Sequence, residues 1–116
     1  MTNRNLLKNF THHSIEDLID EYNMEMKYSS NLEAIGLWGQ YHPDNNLVLI
    51  NPHIGDVLTE DLVIMHEWLH AYAECILEKD FTEKQIDWAA EWHQKRDLVG
   101  LSKVDYLRSF YHREGF

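Results

Sequence analysis

The chain has one cysteine, two prolines, five glycines and ten basic residues against twenty acidic ones, in 116 residues. A lone thiol closes no intramolecular disulfide, so Cys75 requires no oxidising compartment and reads as a small core residue. Scarce proline and glycine leave little material for a linker, and the length fits a single domain, 1–116. The basic deficit gives a formal charge of −10, which argues against general nucleic-acid binding, because phosphate backbones are held by Lys and Arg. Neither a polybasic patch nor an apolar run of membrane-spanning length occurs, so no membrane partner is expected. The opening MTNRNLLKNF lacks the apolar stretch of a signal peptide, and the expected location is cytoplasmic.

Enough apolar material is present for a core: 44% of residues, with four Trp and six Tyr. Ser14 followed by Asp17 resembles an N-cap, and Ile15, Leu18, Ile19, Tyr22 and Met26 recur at helical spacing, predicting a helix over 15–27. IGLWGQY (35–41) and NLVLIN (46–51), joined by a Pro-Asp-Asn turn, predict an antiparallel hairpin. Gly36 and Gly39 weaken the first run, which suits an edge strand. Thr59 is the expected cap of a long helix reaching Glu78, and Thr82 with Gln85 caps a second helix over 83–98, ended by Gly100. Ser102 is the expected cap of a last short helix carrying Val104, Leu107 and Phe110-Tyr111. The fold class is therefore α+β, a small antiparallel hairpin or sheet packed against helices.

The chemistry concentrates in HEWLH, residues 66–70. On a helix, His66 and His70 lie one turn apart on the same face and can aim ring nitrogens at one ion. Zinc can lower the pKa of a bound water to about 7, and a glutamate beside the ligands can take its proton. Glu67 is placed for that role. The alternative is two hydrogen-bonded core histidines on an ordinary helix.

A catalytic zinc needs a third protein ligand, and the next helix offers Glu83, Asp87, Glu91 and His93. If two helices turn near Asp80, residues equally far from the turn lie level. His70 then misses Glu91 by about 1.5 Å, Asp87 by about 4.5 Å and Glu83 by about 10 Å, at ~1.5 Å per residue. Register favours Glu91, with Asp87, Glu83 and His93 left as alternatives.

With its upstream hairpin and downstream acidic helix, His66-Glu67-Trp68-Leu69-His70 resembles the gluzincin clan of zinc metallopeptidases, in particular the small soluble minigluzincins. The resemblance covers roughly 14–98, and a looser one runs to ImmA/IrrE-type metallopeptidases. It implies a zincin-like metallopeptidase domain with one zinc ion and a peptide or protein substrate. The third ligand would be a glutamate on a downstream helix, commonly about twenty residues after the second histidine, which fits Glu91. Several gluzincins also carry Glu-x-x-x-Asp, the aspartate supporting a histidine ligand; Lys95 follows Glu91, and the pair present here is Glu83-Lys-Gln-Ile-Asp87. The strand above the helix would bind extended substrate through its free edge, which also suits a monomer or weak homodimer.

An electrophilic donor is expected from Tyr106, Tyr111, His112, Arg113 or His93. The tail 101–116 is weakly basic beside an acidic body, and the resemblance to self-inhibited minigluzincins implies that it folds across the cleft and keeps the enzyme latent; the alternative is a fourth packed helix with no regulatory part. Trp38, Trp68, Trp88 and Trp92 read as core or interface aromatics, and His12, His13, His42 and His53 as surface residues. The rival function is a catalytically silent metal-binding or interaction module on the same scaffold.

Overall fold

Thr11 begins the first α-helix: its hydroxyl accepts from the Ser14 backbone and the Ser14 hydroxyl accepts from the Thr11 backbone, a closed capping box. The computed structural model describes residues 3–98 and 102–111. A 3₁₀ segment, Asn3–Asn9, precedes helix α1, His12–Tyr22, whose apolar face buries Ile15 and Leu18. The cap is Thr11 rather than Ser14, and the helix ends five residues sooner than its apolar spacing predicts. Asn23 takes the left-handed conformation (φ 55°) and stops it.

The released residues form a strand the sequence pattern had merged into the helix. Strand β1, Glu25–Tyr28, buries Met26 and runs parallel to β3, Leu47–Ile50. Between them lie a short helix α2, Asn31–Ala34, and strand β2, Gly39–His42, antiparallel to β3. The predicted hairpin is therefore present, but in a mixed sheet of order β1-β3-β2 rather than an all-antiparallel one. Its first strand is also shorter than 35–41. Gly36 adopts φ 72° after α2 and leaves Ile35 largely exposed, so the chain becomes extended only near Gly39.

Helix α3, Val57–Tyr72, is capped by Asp56, whose carboxylate accepts from the Thr59 backbone and hydroxyl. Thr59 is the partner of the cap, not the cap. The helix continues as a π-helical turn, Ala73–Leu77, and ends at left-handed Glu78. Helix α4, Glu83–Arg96, opens with the expected Thr82–Gln85 capping box. Helix α5, Lys103–Phe110, opens at Ser102. Gly100 lies outside the described residues.

The core lies between the sheet and these helices. Ile64, Met65, Trp68 and Leu69 of α3 meet Val48 and Ile50 of β3, Ile15 and Leu18 of α1, and Leu107 of α5. Ala71, Ala89 and Ala90 are fully buried, and such short side chains let α3 and α4 pack closely. Trp68 donates its indole N–H to Met26 Sδ, and is a core residue as expected. Among the described residues no helix is long and apolar enough to cross a membrane.

Candidate metal centre

His66 and His70 project from one face of α3 toward the start of α4, with their Nε2 atoms 3.2 Å apart. Glu83 reaches both: its Oε2 lies 3.0 Å from His66 Nε2 and its Oε1 3.1 Å from His70 Nε2. Three donors around a tetrahedral ion with bonds of ~2.0–2.1 Å are separated by about 3.3–3.4 Å, the edge of that tetrahedron. The separation of the two nitrogens, and that of each nitrogen from its own Glu83 oxygen, come close to that edge. The carboxylate drawn to the histidines is thus Glu83, while the favoured Glu91 is exposed, about 12 Å further along α4 at ~1.5 Å per residue.

The register argument fails because it treats both arms as helix up to Asp80. In fact residues 78–82 carry no helix, and Thr82 is extended. An extended residue covers ~3.3 Å against ~1.5 Å in a helix. A linker that is not helical covers more length per residue than assumed, and α4 begins level with the histidines.

Asp87, one turn after Glu83, lies 2.7 Å from His66 Nδ1. A carboxylate there accepts the Nδ1–H and leaves the Nε2 lone pair facing Glu83 and His70, the tautomer a metal ligand needs. The donor set fits a metal ion by its chemistry as well as its spacing. His66, Glu67 and His70 also have ligand atoms close enough together to hold an ion, as do His66, Glu83 and Asp87.

Glu67 is only 9% exposed, and burial pushes its carboxyl up to about 7; Glu83 and Asp87 add to the rise while His66 opposes it. Burial also lowers the His70 pKa, with His66 adding to the fall and Glu83 and Asp87 opposing it. Both shifts have one root, burial, which disfavours the charged form of each group in a partly desolvated cleft.

Two cavities flank this cluster. One of about 320 Å³ is walled by Trp38, Leu62 and Val63, and the other, about 400 Å³, by Gln40, Tyr41 and Glu83. His66, Glu67 and Gly39 belong to both. Gly39 and Tyr41 belong to the strand expected above the helix, although neither was singled out as a site residue. Their signal was the two-residue period of a strand, which puts both on the face of β2 turned to α3. Tyr41 Oη lies 3.7 Å from Cys75 Sγ, and burial raises its pKa, so the phenol keeps its proton.

The other expected site residues are elsewhere. His93 is buried, with Nε2 bonded to the Leu7 carbonyl at 2.8 Å. Tyr106 donates to Glu16, and Tyr111 donates to the Met24 carbonyl. Residues 102–111 pack as α5 against α1 and α3, and none of them lines either cavity beside the histidines. His112, Arg113 and the rest of the tail lie outside the described residues. Trp38 is 57% exposed on the cleft rim, not in the core. Compared with known proteins, the chain matches no family model, no curated protein and no solved structure.

Proposed function

We propose that the protein is a zinc-dependent metallopeptidase in which His66, His70 and Glu83 hold the metal and Glu67 is the general base. The observation that carries this reading is the convergence of His66 Nε2 and His70 Nε2, 3.2 Å apart, on the Glu83 carboxylate, one oxygen 3.0 Å from the first and the other 3.1 Å from the second. Nitrogen and carboxylate donors at this spacing suit zinc, and three protein ligands leave the fourth position of a catalytic site. Zinc held there supplies Lewis acidity toward a peptide carbonyl and lowers the pKa of water at the site.

The chain's own residues do the rest. Asp87 holds His66 in the Nδ1–H tautomer and fixes its ring. Glu67, at the base of the cleft, takes a proton from the attacking water and returns it to the leaving amine. Strand β2 is an edge of the sheet beside α3, so its free N–H and C=O groups can hold a peptide in extended form. Glu83 and Asp87 also match the Glu-x-x-x-Asp pair of the gluzincins, which this chain resembles.

Glu67→Gln is the test, because it removes the base and spares the ligands. Zinc by elemental analysis should stay near one per chain while peptide hydrolysis falls about 10²–10⁴-fold. Cleavage at the wild-type rate would sink the mechanism. A wild-type chain that binds zinc and cleaves no peptide would instead be a silent metal-binding module.

A further inference from the structure

Gly39 opens strand β2 opposite Ile50, and its conformation does not require glycine, since the left-handed glycines are Gly36 and Gly55. The requirement is space. A β-carbon at this position would lie 2.7 Å from Val63 Cγ1, 3.0 Å from Glu67 Cγ and 3.1 Å from Glu67 Oε2. Real β-carbons essentially never come within 3.0 Å of another heavy atom, so Val63 would have to move and Glu67 would be left no slack. The room that any other residue would fill is already occupied by Val63 and the proposed base.

Nothing else pins that base. Among the described residues no hydrogen bond or ion pair to the Glu67 carboxylate accompanies its packing, whereas Asp87 and Glu83 are each drawn to the histidine rings. Its rotamer is therefore set by the walls around it. One wall is the bare backbone of β2, which also forms the saddle between the two cavities.

We propose that Gly39 is the positioning residue for Glu67: by lacking a β-carbon it lets β2 settle onto the carboxylate and set it beside the metal ligands. This rests on the reading of Glu67 as the base. The three atoms nearest to a β-carbon at 39 belong to Val63 and Glu67 and not to His66, His70 or Glu83, so the metal should be held as before.

Two contacts separate position from mere packing. Gly39→Ala, Val63→Ala and the double variant are made in the full chain and loaded with zinc. Zinc affinity, melting temperature, peptide hydrolysis and the ¹³C resonance of the Glu67 carboxyl are recorded, the last also without zinc. Gly39→Ala should bind zinc like the wild type, shift the Glu67 resonance, and lose about 10–100-fold in kcat with KM little changed, as a misplacement near 1 Å can cost 10²-fold. Val63→Ala in the double variant removes the 2.7 Å clash and should restore the melting temperature without restoring kcat or the resonance. The double variant also serves if Gly39→Ala alone does not fold.

An unshifted resonance with wild-type kcat in Gly39→Ala overturns the proposal. So does recovery of kcat together with stability in the double variant, which would make Gly39 a seat for the strand alone. Failure of the underlying reading looks different: Glu67→Gln stays active, or no zinc binds, while the zinc-free Glu67 resonance still scores the effect of Gly39.

Discussion

Helix α3 carries acidic clusters at two heights, and the fold neutralises them in opposite ways. At its N-terminal end Glu60 and Asp61 meet Arg108 of α5, whose Nη2 and Nη1 each stand 2.6 Å from a carboxylate oxygen. Tyr28 adds a hydrogen bond to Glu60, and the three charged side chains are 12–27% exposed. Two turns further on, Glu67, Glu83 and Asp87 gather around His66 and His70, and among the described residues no Lys or Arg is paired with them. The first cluster has its own cation and is closed. The second has only imidazoles, stands in a cleft, and could take a metal ion. An acidic group with a resident arginine holds elements together; one without has room for a cation.

The largest expected effect tests the open cluster. Glu83→Ala should weaken zinc binding by more than the roughly 10–100-fold that losing a residue behind a ligand costs. Glu91→Ala should leave the affinity within about twofold, since an exposed residue that distant adds little to a close ion. Competition with a chromophoric chelator measures both. Equal losses would put the third ligand elsewhere. Next comes the closed cluster: Arg108→Ala takes the cation from two partly buried carboxylates and should cost about 2–4 kcal/mol in chemical denaturation. Zinc affinity should not change. A variant of wild-type stability would remove the contrast between the two clusters.

Much of this was legible in the residues, and the failures share a cause. HEWLH on a helix, the Thr82–Gln85 box and the hairpin follow from local spacing, and local spacing is what a sequence displays. Glu83 was misjudged because its height depends on five non-helical linker residues whose path no periodicity reveals. The Glu83…Asp87 pair was visible, yet which turn of α4 faces α3 is a tertiary fact. Strand β1 was hidden because Met26 fits both a helical stripe and the alternation of a strand; only Asn23 marked the break. Gly39 read as a weak point in a strand, when it is the place where the strand comes closest to Glu67.

A smaller effect sharpens the division of labour within the open cluster. Asp87→Asn keeps the shape but weakens the acceptor on His66 Nδ1, and should reduce zinc affinity about 10–100-fold, less than Glu83→Ala. If Asp87→Asn were the more damaging change, Asp87 would be the ligand and Glu83 its support.

The smallest effect concerns His93, a third kind of ionisable site, closed and without a partner charge at contact distance. It is 1% exposed, faces Phe10 and Trp92, and gives its Nε2–H to the Leu7 carbonyl. Among the described residues its Nδ1 has no partner. Burial lowers its pKa; Lys103 and Arg96 add to the fall, while the Leu7 carbonyl and Asp97 oppose it. The unfolded chain takes up a proton near the ordinary histidine value of about 6.5, and the native core refuses it to lower pH. The stability is therefore present above about pH 6.5 and is lost as pH falls through the depressed native value. One group limits the slope to about 1.4 kcal/mol per pH unit. His93→Gln keeps a donor for Leu7 but cannot titrate, so its stability should fall less than the wild type's between pH 7 and 5 at equal zinc. Parallel curves would place the acid sensitivity outside His93 and overturn this assignment to the core.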